Sequence, residues 1–465
     1  MGTIADRTNQ DTESSIDDRF DERLSPNIRA LRLTMTIADN LVSMGVAVSE
    51  VVSLSLDITE TYCKRPVQVS ISSSLLMFSQ DRGDDREPLT LIRYSETQIV
   101  NNMVVQSIEE LANEIKEKKI TLADAEAKLD TMLREPKKYP LWLSTLGGAF
   151  ISAGVGALLS GSYLVIAFSF VIGAIVTLIT RHLYLRRIPS FFSQIFAAAF
   201  ITVVASGIAW LSFEYSQSAF GGINPNLIII SGIIMLVAGL TIVGAVEDAI
   251  DEFYVTANAR LLKVVMMTAG IVAGVLIGLY IAKQFNVFLT LDTERPPLEI
   301  ISWQYIGAFM IAAGYALSTQ TKWTGILIAG AMGLLGWNVF VTAGQTLSPV
   351  AASGLAAIAV GVASALVART WRTPSNTLIT AGIIPLVPGL TLFNGLLQIV
   401  QNSSSTGSLT LGLVTLMNAA LIAVAIAAGA SFGNLVARPV ERSLVKVRNV
   451  LPRRKYVTQD LDSTI

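Results

Sequence analysis

Two stretches lying 150 residues apart share an unusual backbone chemistry. Residues 232–241 read Gly-Ile-Ile-Met-Leu-Val-Ala-Gly-Leu-Thr, and residues 382–391 read Gly-Ile-Ile-Pro-Leu-Val-Pro-Gly-Leu-Thr. Eight of the ten positions are identical; Met235 stands against Pro385 and Ala238 against Pro388. Both stretches lie inside long apolar runs. Pro388 removes a backbone donor and clashes with the preceding turn, and Gly239 and Gly389 loosen the helix and permit unusual dihedrals. Irregular backbone at membrane depth persists only where protein or a water-filled cavity satisfies it. The freed amides and carbonyls can therefore hold a small zwitterion. Thr241 and Thr391 add hydroxyls, and Asn394 follows three residues after Thr391. The candidate substrate set is Gly239, Thr241, Pro388, Gly389, Thr391 and Asn394. A kink or a close helix crossing is the structural alternative for the same glycines.

Acids follow the first copy: Glu247, Asp248, Asp251 and Glu252. A carboxylate at membrane depth is costly and can carry a proton. Asp248, with Glu247 beside it, is the candidate proton-coupling residue; a solvated inner-loop charge paired loosely with Arg260 and Lys263 is the equal alternative for Asp248. Asp251 and Glu252 read as solvated loop charges near Arg260 and Lys263. At the same 150-residue offset the second half carries Gln398, so one half presents an ionisable group and the other a neutral amide. Arg260 and Gln398 are assigned structural or gating roles. Asn338, Gln345 and Asn418 read more readily as glue between helices than as ligand contacts.

The elements that must position these residues follow from composition. The chain has 465 residues, 52% apolar, 15% charged, with mean hydropathy +0.56. Soluble domains carry about 25% charged residues, so this balance points to a membrane protein. Of 69 charged residues, 41 fall in positions 1–140 and 10 after Ala437. The intervening body is almost uncharged. It holds about ten apolar runs of spanning length, the fourth of each half carrying one copy of the repeat. Two successive five-helix units must cross in opposite senses. The expected fold is an α-helical polytopic membrane protein with about ten transmembrane helices as two inverted five-helix repeats, residues 141–284 and 299–437. A weaker echo sets Gly148-Ala149-Phe150 against Gly307-Ala308-Phe309. Inverted repeats place a binding site near the bilayer midplane.

Residues 1–27 read as a disordered acidic tail, 28–140 as a cytoplasmic α+β domain and 438–465 as a basic cytoplasmic tail. In the head a helix is expected from about Asn27 to Tyr62, interrupted at modest cost by Gly45. Strands are expected at 67–71 and 89–93, joined by a turn at 81–85. Two helices follow, near Ser107–Lys118 and Leu122–Arg134, the latter capped by Thr121. The head contains no nucleotide loop, no GxSxG and no histidine triad, so a structural or regulatory cap is its first reading, with gating or catalysis the alternative. One cysteine and one histidine exclude a disulfide and a His/Cys metal cluster. The expected partners are a small molecule, protons and lipid, with no nucleic acid and no cofactor; self-association is left open. A membrane-bound hydrolase or a sensor using the head is the competing class, and it lacks a nucleophile motif.

Residues 236–248, Val255-Thr-Ala-Asn-Ala-Arg260, Pro385-Leu-Val-Pro-Gly-Leu-Thr391 and, less specifically, Ser43–Glu50 resemble the threonine/serine exporter family, including its actinobacterial members. The resemblance covers about Asn27–Ala437. It implies a plasma-membrane exporter of threonine and serine driven by the proton-motive force, with proton antiport the expected mode. The family also resembles a split two-subunit system linked to succinate export, so a small dicarboxylate is the alternative substrate.

Lys/Arg asymmetry sets the orientation. With both termini inside, the inner loops carry Arg181, Arg186, Arg187, Arg260, Lys263, Lys322, Arg369 and Arg372, against Lys283 and Arg295 outside. Reporters fused at Gly221 and Ser404 are expected to face outside, and those at Ile188 and Glu252 inside. An internal Ser404 together with an external Ile188 reverses the orientation.

Overall fold

The computed structural model describes residues 25–82, 86–159, 162–214, 225–237, 239–285, 301–371, 375–401 and 406–450. The expected disordered tail up to residue 24 and the final residues 451–465 lie outside these. So does 83–85 of the expected turn.

The head begins with α1 (Pro26–Ser43) and α2 (Val48–Tyr62). The single helix expected here is two. Gly45 has φ +86°, and the amide of Val46 reaches back to Leu41 O at 3.1 Å. This is a glycine C-cap, which ends a helix rather than weakening it. Three strands follow, β1 (Val67–Ser72), β2 (Leu75–Gln80) and β3 (Leu89–Tyr94), as an antiparallel sheet in that order. The central strand β2 was not expected. Its continuous apolar start, Leu75-Leu76-Met77-Phe78, hides the alternation that buries Leu76, Phe78 and Gln80. Helix α3 (Asn102–Lys116) starts earlier than its periodicity suggests, because Asn101 caps it by accepting from the amides of Met103 and Val104. Helix α4 (Leu122–Arg134) is capped by Thr121 as expected. One apolar core joins these elements around Leu31, Ile37, Phe78, Ile108 and Leu111.

The remainder is helical: α5 (Leu141–Leu159), α6 (Tyr163–Leu185), α7 (Ser190–Glu214), α8 (Pro225–Leu236), α9 (Gly239–Ile250), α10 (Tyr254–Gln284), α11 (Ile301–Ser318), α12 (Trp323–Ala343), α13 (Pro349–Trp371), α14 (Ser375–Ile383), α15 (Gly389–Gln401) and α16 (Thr406–Val450). Among the described residues, eight helices are long and apolar enough to cross a membrane, or nine if α14 and α15 count as one broken span. The expected ten included α11, which falls outside that test. Outward faces are apolar, with Val171, Ile175 and Leu178 exposed on α6, and Leu261, Leu262 and Val265 on α10. In water such patches would be a liability; against lipid tails they are the natural surface. The chain is an α-helical multi-pass membrane protein.

The helices of α5–α10 and those of α11–α16 pack in one scheme. In each set the first helix packs on the second, the third on the fifth, and the half-helix before the break on the first three. The half-helix after each break also packs on the last helix of the other set, α9 on α16 and α15 on α10. The sets meet where α5 crosses α11. A Cβ on Gly147 would stand 2.7 Å from Gly314 O, and one on Gly314 2.8 Å from Gly147 O. A Cβ on Gly154 would stand 2.9 Å from Gly307 O, and one on Gly307 2.5 Å from Gly154 O. These contacts exchange under an offset of 160, which pairs Gly147-x-x-x-Ile151-x-Ala153-Gly154 with Gly307-x-x-x-Ile311-x-Ala313-Gly314. The Gly-Ala-Phe echo, at an offset of 159, is one residue out of this packing register.

The head sits at one end of the bundle. Tyr184 at the end of α6 donates to Thr97 O at 2.8 Å, and the amide of Ser73 donates to Thr256 Oγ1 at the start of α10, 3.0 Å away. The Asn102 and Met103 amides reach Thr319 O and Gln320 O beyond α11. Helix α5 therefore starts at the head, whereas α11 ends there.

No side chain fits at these four glycines, so Gly314→Val should cost roughly 1–3 kcal/mol or more from overpacking. Gly207, which faces open space, should accept Ala without loss. Thermal denaturation of the purified full chain checks both, and equal behaviour of the two variants refutes the seam.

Candidate functional site

The second interruption is a real break. Helix α14 passes into a single 3₁₀ turn (Ile384–Leu386), Val387 is extended with φ −62° and ψ 132°, and α15 restarts at Gly389. The axes of the two segments differ by 48°. Pro385 and Pro388 lack amide hydrogens, so the local turn relies on Val387 N to Ile384 O (3.1 Å), Gly389 N to Val387 O (2.8 Å) and Leu392 N to Pro388 O (2.9 Å). The first interruption is milder. Its Val237 amide still reaches Ile233 O at 3.0 Å, and Pro225–Ile250 serves as a single span of 26 residues. Met235 and Ala238 stand where the second copy has prolines, which accounts for the difference.

The two interruptions face each other. A methyl placed on Gly389 would lie 3.5 Å from Val237 Cγ1, ordinary contact distance. Around this meeting point lies a cavity of about 590 Å³. Residues 234–237 and Thr241 line it from the first copy, and residues 384–391 from the second. Thus Thr241, Pro388, Gly389 and Thr391 of the expected set come together. Asn394 and Gly239 are not among the lining residues. Asn394 is buried one turn beyond Thr391. Helices α5 and α11 supply Val155, Ile311 and Tyr315, and α12 supplies Trp337. Trp337 is braced by donating to Gln304 Oε1 at 3.3 Å. Sequence reasoning passed over Gln194 and Lys263, which also line the cavity. The sequence reads Lys263 as a loop charge; its place inside the apolar run that begins at Leu261 is the signal that points to the cavity instead.

The expected coupling residues lie elsewhere. Asp248 is buried at 1% exposure, and its Oδ2 lies 3.0 Å from Arg260 Nη1. Its carboxylate also takes the backbone N–H of Val48, the first residue of α2. A carboxylate at a helix N-terminus is a favourable charge–dipole pair. Arg260 fits because Gly244 carries no side chain: a Cβ there would stand 3.0 Å from Nη1, which reaches Gly244 O at 3.4 Å. Gln398, at the matching position, accepts from Thr415 Oγ1 at 3.0 Å. Each of these two positions thus ties the half-helix after its interruption to the next helix, by an ion pair in one case and a neutral hydrogen bond in the other. Asn338 accepts from Tyr305 Oη at 3.0 Å, an interhelical tie of the expected sort. Glu247 is half-buried beside Asp248.

Glu50, two residues along α2 from Val48, accepts a hydrogen bond from Asn376 Nδ2 at the start of α14. The head therefore holds both fourth helices at one end. Burial pushes the Glu50 carboxyl up, partly offset by Asn376. Glu109 on α3 is pushed up to about 8, first by burial and then by Glu50 and Glu110.

A bundle of apolar helices enclosing a cavity between two facing helix interruptions defines a polytopic membrane protein of the transport class. The chain belongs to the threonine/serine exporter family: the family model ThrE matches residues 32–282, and a second, "Threonine/Serine exporter, ThrE", matches 304–436. It is similar to a "Probable threonine/serine exporter" of Mycobacterium tuberculosis, 28% identical over 89% of this chain and 77% of that protein. It is similar also to a "Threonine/serine exporter" of Corynebacterium glutamicum, 27% identical over 89% and 83%. "Pheromone-regulated membrane protein 10" of Eremothecium gossypii is 24% identical over 68% of this chain and 43% of its own length. No solved structure matches significantly.

The raised Glu109 carboxyl has a consequence for stability. Its value in the folded chain lies above its ordinary 4.5. Between 4.5 and about 8 the folded state binds more protons than the unfolded, so this group's contribution falls as pH rises through that window. Glu109→Gln should reduce the loss of thermal stability between about pH 5 and about pH 9. Equal losses in parent and variant contradict the burial of this carboxyl.

Proposed function

We propose that the chain is a secondary active exporter of small hydroxy amino acids, threonine and serine, working by proton antiport in the plasma membrane with both termini inside. The observation that carries this reading is the cavity between the two facing interruptions, lined by Thr241 and Thr391. The names of the bacterial relatives supply the substrates. The exchanging glycine contacts of α5 and α11, and the opposite ends at which those helices meet the head, support two five-helix repeats of inverted topology. Such repeats alternate access by rocking against one another around a central site. The Lys/Arg distribution supports the orientation.

Substrate and proton occupy separate places in this scheme. Thr241 lies at the cavity, and Asp248 lies seven residues further along α9, roughly 10 Å at helical rise. Protonation of Asp248 weakens its pair with Arg260 and its hold on the α2 N-terminus. That frees α9 to move relative to α10 and the head. Glu247 is the neighbouring acid through which the proton passes. An antiporter requires that the substrate-loaded and proton-loaded forms favour opposite states, and a shared half-helix provides the link.

Efflux of preloaded labelled threonine from cells expressing the chain tests this. Asp248→Asn should abolish export against a gradient while retaining downhill exchange. Asp251→Asn and Glu252→Gln, on exposed residues, should export as the parent does. Uphill export by Asp248→Asn at the parent rate removes Asp248 as the coupling residue.

A further inference from the structure

Lys263 bears the single charge among the side chains lining the cavity. Among the described residues, no carboxylate lies within ion-pair reach of its ammonium. Arg260, one turn away on the same helix, is committed to Asp248. Lys263 is itself exposed, so its ammonium is open to an anion entering the largely apolar space walled by Ile151, Val155, Ile311 and Trp337. A second group in the same cavity is also incomplete. Gln194 on α7 is 7% exposed and lines the cavity, and its Oε1 has no hydrogen-bond partner. A buried amide carbonyl without a donor is costly, so the desolvation cost falls on Gln194.

The two groups line the same cavity from adjacent helices. Helices α7 and α10 run side by side, and a Cβ on Gly270 would touch Gln194 Cβ at 3.4 Å. Gly270 is seven residues beyond Lys263, roughly 10 Å along the helix. The flexible four-carbon arm of a lysine and a small amino acid can bridge that gap together.

We propose that Lys263 receives the α-carboxylate of the transported amino acid and that the Gln194 carbonyl receives its α-ammonium. The pair reads the part common to all amino acids and leaves the side chain to the lining at the two interruptions. One cation matches one carboxylate, and an acceptor opposite it repels a second. The site therefore prefers a zwitterion to a dicarboxylate. This inference rests on the reading of the chain as an amino-acid exporter.

The test uses the full chain reconstituted in lipid vesicles, with counterflow of threonine, threoninol (no carboxylate), β-hydroxybutyrate (no ammonium) and succinate. The parent should favour threonine over both truncated analogues. Lys263→Met should raise the threonine KM roughly ten- to hundred-fold, the loss of one charge-assisted hydrogen bond, and should erase the preference for threonine over threoninol. It should leave the preference over β-hydroxybutyrate. Gln194→Met should do the reverse, and Lys263→Arg should restore part of the first preference. If Lys263→Met does not reach the membrane, Lys263→Gln and Gln194→Met carry the same comparison. Parent-like preferences in these variants overturn the assignment while amino-acid export stands. A parent that moves succinate and neither threonine nor serine overturns both.

Discussion

The backbones of α5 and α11 touch because Gly147, Gly154, Gly307 and Gly314 carry no side chains. In lipid no hydrophobic force drives two helices together, so close packing of small residues must supply the adhesion. Here it joins the two sets of helices directly. The same two helices form part of the cavity wall through Val155 and Ile311, so the width of the cavity follows from the depth of this crossing.

The head is attached to the bundle at several helix ends. It binds the start of α10 through Thr256, the turn after α11 through Thr319 and Gln320, and the start of α14 through Asn376. The carboxylate of Asp248 lies at the first turn of α2. Its charge is felt by a helix dipole on one side and by a guanidinium on the other. The soluble and apolar parts thus share one electrostatic joint.

Apolar runs and helix breakers are local signals, and they were legible. The spans of α5–α10, the two interruptions and the family all follow from short stretches of sequence. What was not legible depends on the third dimension. Strand β2 was hidden because an apolar run does not reveal which alternate residues are buried. Gly45 was read as a weak point, since its positive φ is a property of the folded turn. The register of α5 against α11 was missed by one residue, because three matching letters outweighed the spacing of four glycines. Lys263 and Gln194 looked like loop charge and ordinary polar residue until α7, α10 and the interruptions closed around one space. Asp248 stood out as a rare acid, but its partners, Arg260 and the Val48 amide, lie 12 and 200 residues away.

The unequal sharpness of the two interruptions has a thermodynamic meaning. A machine built from two identical, interchangeable halves has end states that are mirror images and therefore degenerate in free energy. Pro385 and Pro388 stand at the break that bends one half by 48°, and the other half carries Met235 and Ala238 at the matching positions. That difference lifts the degeneracy. On the proposed reading of two inverted repeats, the empty protein would rest preferentially on one side of its cycle, and the ligand gradient would work against a built-in bias rather than a flat landscape.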